Sequence, residues 1–535
     1  MYRRQAEAVL SQLKFGFTDD MTPKASFPQL NRRRFLKAFA LALADIAVSP
    51  SANTAPYSRS PNIVLILSDD VGFGDVSCYG AKDFKTPNID RLAQNGLRFT
   101  DAHSVASTCT PSRYALLTGT YSSRKDGVQI LPGDASLLID TTRSTMPSVL
   151  KKAKYVTGCV GKWHVGLGNA KIDWNSDIEP GPLETGFDYS FIIPATADRV
   201  PTVFVENHRV VGLDPNDPIE VSYAAKVGDE PTGKEDPQLL KMKLSEGHDG
   251  TIVDGVSRIG FMSGGHAARW VDENMAATLA GKAGAFIEKN REKPFFLYFT
   301  PSDIHVPRMP NAQFAGTTSC GVRCDVIEQL DWTVGQIMTE LERHNLAGKT
   351  LVIFTSDNGP VVNDGYDDGS DRLLDGHKPA GPYRGGKYSI YEGGTRIPFI
   401  AHWPGHIKPG VSDALIDQVD LMRSFAALTG ASVPKTGAPD SMNVSSALLG
   451  HSRKGRSSLV EESQWLAIRQ GQWKLVDRNE RPGHLAPFRG ENQPVFELYD
   501  LKTDPGETTN VAESHPEIVQ SLSRLLEKIR TQGHS

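Results

Sequence analysis

The stretch Ile63-Val64-Leu65-Ile66-Leu67, followed at once by Ser68-Asp69-Asp70-Val71-Gly72, decides how the rest of this chain is read. It is a continuous apolar run, rich in β-branched residues, with no polar alternation. Such a run predicts a strand buried on both faces of a parallel sheet. Phe295–Phe299 and Leu351–Thr355 repeat the pattern. Amphipathic stretches at 276–291 and 325–344 precede them and read as helices. Alternating helix and buried strand predicts an α/β fold with a mostly parallel sheet. Each buried run also ends in polar residues: Ser68-Asp69-Asp70, Pro301-Ser302-Asp303-Ile304-His305, and Ser356-Asp357-Asn358-Gly359. Ligands of open α/β sheets sit at the carboxyl ends of strands. Three such clusters predict a site there.

Beyond this core the chain changes texture. Residues 196–265 carry scattered strand-like pieces and many turns, and read as an insertion over the sheet. Trp465–Arg469 and Trp473–Val476 flank Gln470-Gly471-Gln472 and predict a β-hairpin. Phe496–Asp500 adds a strand, and Glu517–Arg530 has helical periodicity. A small antiparallel sheet with one helix follows. The expected domains are an export signal and linker (1–58), a catalytic α/β domain (59–455) and a C-terminal α+β subdomain (456–535).

The 535 residues suffice for a large core. A formal net charge of -5 excludes a bulk attraction for nucleic acid, so an anionic substrate would need local cations. Five cysteines do not make a disulfide framework. Cys320 and Cys324 read as a local disulfide or as two unrelated loop cysteines. With no second Cys or His pair nearby, structural zinc is not expected.

Near the N-terminus, Asn31-Arg32-Arg33-Arg34-Phe35-Leu36-Lys37 precedes an Ala-rich apolar run to Val48, then Ser49-Pro50-Ser51-Ala52. This looks like a twin-arginine export signal, with an amphipathic N-terminal helix as the alternative. The run is too short to span a bilayer, so no integral membrane protein is expected. Met21 is a second candidate start. The signal predicts the twin-arginine machinery as a partner and a periplasmic or secreted location.

The strongest motif is Cys109-Thr110-Pro111-Ser112-Arg113, continued by Leu117-Thr118-Gly119. It places a cysteine on a turn entering a helix. A helix N-terminus and Arg113 lower a thiol's pKa, which predicts a reactive thiolate; a buried inert cysteine is the plain alternative. Elsewhere, the adjacent carboxylates of Asp69-Asp70 would repel unless a cation lay between them. With Asp357-Asn358 they offer only oxygen ligands, which suits Ca2+ or Mg2+. Lys162 and His164 in Gly161-Lys162-Trp163-His164 would face one side if extended.

Together these motifs, with Asp303-Ile304-His305, Arg384-Gly385-Gly386-Lys387 and Tyr391-Glu392-Gly393-Gly394-Thr395-Arg396, resemble the sulfatase family from about residue 60 to 511. Within it the chain looks most like the arylsulfatase-A-like branch. The resemblance implies an alkaline-phosphatase-like sheet flanked by helices. It implies that Cys109 is oxidised by a maturation enzyme to formylglycine, whose hydrate is the nucleophile. It further implies that Asp69, Asp70, Asp357, Asn358 and modified Cys109 bind the metal. Lys162 and His164 would contact the hydrate, Arg113 would neutralise charge, and His305 and Lys387 would hold the sulfate, with His305 giving the leaving group its proton.

The expected substrate is a sulfated small molecule or glycan. Thr196–Pro218 and the loops around His248 and His377 would shape its pocket, with Arg199, His248 and His377 as candidate contacts. The rival readings are a phosphonate or phosphodiester hydrolase of the same superfamily, a silent glycan-binding export protein, and an ordinary cysteine-nucleophile hydrolase.

Overall fold

In a computed structural model the described residues are 60–479 and 494–533. The predicted N-terminal signal lies outside them. The first buried run is strand β1 (Asn62–Ser68). In chain order follow β2 (Leu97–Phe99), β3 (Val156–Lys162), β4 (Tyr189–Ile193), β5 (Val205–Glu206) and β6 (Arg209–Val210). Then come β7 (Phe295–Thr300), β8 (Thr350–Ser356), β9 (Phe399–His402) and β10 (Gly410–Ser412). They form one sheet in the order β10-β2-β9-β8-β1-β7-β3-β4-β5-β6. The central run from β8 to β4 is parallel, and antiparallel pairs appear only toward the edges.

The lack of alternation in β1 now has its reason. Ile63, Leu65 and Leu67 pack into one core, Val64 and Ile66 into another on the opposite face. All five are fully buried. Each contributes on the order of 1.5–3 kcal/mol by leaving water, so neither face tolerates a polar residue. Helices Met275–Asn290 and Val322–Arg343 cover one face.

Register brings the strand ends level. Ser68 lies opposite Ser356, Ile66 opposite Phe299, and Thr300 opposite Gly161. The polar segments after β1, β3, β7 and β8 therefore emerge along one edge.

The insertion resolves into short two-stranded ladders: Glu220–Ser222 with Phe261–Ser263, and Ile252–Val253 with Val256–Ser257. A third, Lys243–Leu244, pairs with Tyr366–Asp367 beyond β8. Cys320 and Cys324 are joined in a disulfide. No described helix is long and apolar enough to cross a membrane.

The C-terminal sheet is the expected antiparallel one: β11 (Ser458–Glu462), β12 (Leu466–Gln470), β13 (Trp473–Asp477) and β14 (Phe496–Asp500). Its hairpin pairs Gln470 with Trp473 across Gly471, whose φ of 59° suits glycine. Helix Pro516–Gln532 buries Leu522, Leu526 and Ile529 on it.

This sheet is tied inward by charge. Lys474 on β13 is fully buried, with its ammonium 3.0 Å from Glu392, 2.9 Å from Glu461 and 3.4 Å from Glu507. Burial opposes the charge on Lys474, but the carboxylates outweigh it and hold the ammonium above the usual lysine range. Glu392 begins the short helix Glu392–Thr395 of the Tyr391–Arg396 motif, so this contact ties the C-terminal sheet to that motif. Lys474→Met should strand three buried carboxylates and cost about 3–5 kcal/mol. Denaturant unfolding measures this, and a loss below about 1 kcal/mol would contradict the assignment.

Candidate active site

Cys109 is the first residue of helix α1 (Cys109–Thr118), and all ten residues of that helix are buried. Gly119 ends it in the left-handed region with φ 62°. The helix carries Arg113 inward on the turn below Cys109. Arg113 Nε donates to Asp357 Oδ2 at 2.9 Å, and Nη1 donates to the Lys162 carbonyl at 2.8 Å. Lys162, at the end of β3, donates from Nζ to Asp69 Oδ2 at 2.6 Å. Asn358 Nδ2 donates to Asp70 Oδ1 at 2.7 Å. Lys387 Nζ donates to Asp70 Oδ2 at 2.9 Å and lies 3.1 Å from His305 Nε2. The predicted residues after β1, β3, β7 and β8 and in the 384–387 turn thus converge through direct contacts.

The inward aim of Lys387 depends on close backbone packing. Its N–H donates to the Pro360 carbonyl at 2.8 Å, and a Cβ on Gly386 would lie 2.3 Å from that same oxygen. Three non-glycine residues here, Asp70, His164 and Tyr388, take left-handed conformations with φ of 61°, 56° and 72°. Each costs roughly 1–2 kcal/mol, which the surrounding contacts must offset.

Charge balance is uneven. Burial and then Asp357 push the Asp69 carboxyl up to about 8, despite Lys162. Asp69 Oδ1 and Asn358 Oδ1 are buried without a hydrogen-bond partner. Asp69, Asp70 and His305 bring potential ligand atoms within 4.8 Å of one another. Two unsatisfied oxygens beside a destabilised carboxylate are what a bound cation would relieve, so these residues fit a divalent metal. The buried group His103, Glu392 and Glu461 differs, because Lys474 already supplies its cation.

The thiol behaves differently from the sequence reading. Burial pushes the Cys109 thiol up, and Lys162 and Lys387 do not offset it. The predicted reactive thiolate is therefore corrected: desolvation outweighs the helix terminus and the nearby cations. The extended-strand argument for Lys162 and His164 also fails, since β3 stops at Lys162 and His164 is left-handed. His164 still reaches the site, where its carbonyl accepts from Thr110 Oγ1 at 2.9 Å.

Burial favours the neutral form of both histidines, and their partners assign each a tautomer. Burial and then Lys162 hold His164 well below the usual imidazole range; burial and then Lys387 do so for His305. His164 Nε2 faces the Leu131 carbonyl at 3.0 Å. A carbonyl only accepts, so Nε2 carries the proton and Nδ1, buried without a partner, keeps its lone pair. His305 Nδ1 likewise donates to the Val306 carbonyl at 2.7 Å, leaving Nε2 to accept from Lys387. His305 Nε2 and the Lys387 ammonium thus share one proton position facing the site.

Of the pocket candidates, His248 Nε2 lies 3.0 Å from Asp198 Oδ2, and Arg199 contacts Asp198 Oδ1 at 2.9 Å. Arg199 stands near the site, since its charge acts on His164, and Asp198, which both residues contact, feels the charge of His305. His377 does not join them. It is buried, with Nε2 2.8 Å from Asp75, which Arg323 also grips at 2.6 Å through both nitrogens. The sequence reading missed Asp364. Its carboxylate takes Lys387 Nζ at 2.8 Å and the Tyr388 hydroxyl at 3.0 Å. The only local signal was a turn sequence, Asn363-Asp364-Gly365.

Comparison with known proteins agrees with this architecture. A family model described as sulfatase matches residues 61–431, and one described as N-sulphoglucosamine sulphohydrolase, C-terminal, matches 386–532. An N-acetylgalactosamine-6-O-sulfatase of Bacteroides thetaiotaomicron is 51% identical over 479 residues, covering 89% of this chain and 94% of that protein. Human arylsulfatase A is 33% identical, covering 88% and 87%. A solved Bacteroides thetaiotaomicron structure, from work on the metabolism of multiple glycosaminoglycans, superposes with a TM-score of 0.86 at 51% identity, covering 89% and 100%. The chain belongs to the sulfatase family. It is accordingly a sulfuric ester hydrolase.

The unsatisfied oxygens generate a metal test. Chelation of divalent ions should lower the melting temperature by a few degrees, and added Ca2+ should restore it. Asp69→Ala should abolish that response; an unchanged melt on chelation would count against a cation at this site.

Proposed function

We propose that this enzyme removes 6-O-sulfate from N-acetylgalactosamine or a closely related sulfated sugar, using a formylglycine made from Cys109. The observation that carries the chemistry is the convergence of Lys162, Arg113 and Lys387 on one buried carboxylate cluster beside Cys109. The 51% identity to an N-acetylgalactosamine-6-O-sulfatase supports the sugar.

A bound Ca2+ or Mg2+, held by Asp69, Asp70, Asp357, Asn358 and an oxygen of residue 109, would supply fixed positive charge for the sulfate. The chain's own groups do the rest. Lys162, Arg113 and Lys387 offset the anion that any nucleophile must approach. One hydroxyl of the formylglycine hydrate, as its oxyanion, attacks sulfur and the bond to the sugar oxygen breaks. The leaving oxygen takes a proton from the Lys387 ammonium, whose direction His305 Nε2 helps fix. A sulfate ester remains on residue 109. His164 Nδ1 then takes the proton of the second hydroxyl. The aldehyde reforms, its carbon releases sulfate, and no water need attack sulfur.

The proposal also carries the roles of the maturation enzyme and of twin-arginine export to the periplasm or beyond. The Cys320–Cys324 disulfide supports an oxidising destination. We take 59–455 as the catalytic domain, completed by the C-terminal subdomain through Lys474.

Sulfate release from 6-O-sulfated N-acetylgalactosamine tests this reading. Matured enzyme should turn it over, and Cys109→Ala should lower kcat/KM on the order of 10^4-fold or more. Faster turnover of phosphodiesters than of any sulfated sugar would replace the reading with the phosphodiesterase one.

A further inference from the structure

Three acceptors surround Lys387 Nζ: Asp364 Oδ2 at 2.8 Å, Asp70 Oδ2 at 2.9 Å and His305 Nε2 at 3.1 Å. They match the three N–H groups of an ammonium. For one N–H to be given to a sugar oxygen, the other two must hold the amine in place. Asp70 and His305 follow β1 and β7 and are almost wholly buried. Asp364 stands apart from them in the loop after β8, with its side chain 17% exposed.

That loop is braced on both sides. The buried guanidinium of Arg308 donates to the Val361 and Val362 carbonyls, each at 2.9 Å, and to the Ile304 carbonyl at 3.2 Å. One side chain thus ties the loop of Asp364 to the segment of His305. Beyond Asp364, the Gly365 carbonyl accepts from the Ser245 N–H at 3.1 Å, and the ladder of Tyr366–Asp367 with Lys243–Leu244 follows. The carboxylate divides its oxygens between consecutive residues. Oδ2 accepts from Lys387, and Oδ1 accepts from the Tyr388 hydroxyl at 3.0 Å. Lys387 Nζ also lies over the Tyr388 ring, 5.4 Å from its centre. Tyr388 is fixed in turn, because its N–H donates to the Ser107 carbonyl at 3.0 Å, just before the nucleophile's helix. Burial opposes the charge on Asp364, but Lys387 outweighs it and holds the carboxyl below the usual carboxylate range.

We infer that Asp364 is a positioning residue for the reaction: it holds the Lys387 ammonium so that one N–H faces the oxygen that leaves the sulfate. The inference rests on the mechanism proposed above, in which that oxygen takes its proton from Lys387. As the bond from sulfur to the sugar oxygen breaks, the proton passes from Nζ to that oxygen. Lys387 is then a neutral amine, still donating to Asp364 Oδ2, and a proton from water restores the ammonium. Without the Asp364 carboxylate, the aim of Lys387 depends on Asp70 and His305 alone.

The test measures kcat and KM for sulfate release from 6-O-sulfated N-acetylgalactosamine by matured enzyme. Asp364→Asn keeps the shape and an oxygen for Tyr388 but removes the charge. It should lower kcat about tenfold, part of the roughly 100-fold that a misplacement near 1 Å can cost. KM should change less than about threefold, since Lys162 and Arg113 still meet the sulfate. Lys387→Gln alone should lower kcat about 100-fold. In the Lys387→Gln background, Asp364→Asn should cost less than about twofold more, because its effect passes through Lys387. Losses that multiply in the double variant would overturn the inference, for the carboxylate would then act on the fold or the substrate directly. A kcat unchanged by Asp364→Asn, or a loss carried by KM, would overturn it as well. If Asp364→Asn melts more than about 5 °C below the wild type, Tyr388→Phe takes its place. Removing the hydroxyl that fixes Oδ1 should lower kcat about threefold, the size of one hydrogen bond, and should have no effect beside Lys387→Gln. Wild-type enzyme that releases no sulfate from this sugar would overturn the proposed function itself, which separates that failure from the failure of the anchor.

Discussion

The site depends on cations holding carboxylates together out of water. Burial and then the Asp357 carboxylate raise the proton affinity of Asp69, and both side chains are fully buried. Lys162 reaches Asp69 from β3, and Arg113 reaches Asp357 from α1. These two contacts fix the distance between the sheet edge and the helix that carries Cys109. An ion pair in low dielectric must recover a desolvation cost of several kcal/mol per charge, so it stabilises only when its geometry is well fixed. The parallel register provides that geometry, because Ser68 and Ser356 are level and their following aspartates emerge together.

The same constraint explains why a thiol is a poor nucleophile here. Burial outweighs two nearby lysines and keeps Cys109 protonated. The cations are already committed to Asp69, Asp70, Asp357 and Asp364. The proposed aldehyde hydrate would differ from a thiol in its second hydroxyl, which offers a way to expel sulfate from carbon. The two histidines fit that division of labour through backbone carbonyls alone. Leu131 and Val306 each take one ring proton, leaving Nδ1 of His164 and Nε2 of His305 as acceptors. Neither tautomer depends on the substrate.

Much of the fold was legible because buried parallel strands leave a continuous apolar signal. β1, β7 and β8 lie within a residue or two of the runs that announced them. The Gln470–Trp473 turn and the last helix were equally clear, since their patterns are local. The polar strand ends were legible only jointly, since Asp-Asp or Asp-Asn alone reads as a turn or cap, but together they stand at the carboxyl ends of buried strands. What escaped notice was long-range. Asp364 meets Lys387 across 23 residues, and Lys474 meets Glu392 across 82. His377 was drawn away by Asp75, 302 residues earlier. The thiol's protonation depends on burial, which no local sequence pattern reports. The insertion at 196–265 was unreadable because two-residue ladders carry almost no periodicity.

The central claim is that residue 109 acts as an aldehyde hydrate within this charge cluster. The mass of the tryptic peptide Phe99–Arg113, from protein purified from its native host, tests it most directly. The account predicts a peptide about 18 Da lighter than the cysteine form, as conversion of the thiol to an aldehyde requires. An unmodified Cys109 in protein that still releases sulfate would contradict it.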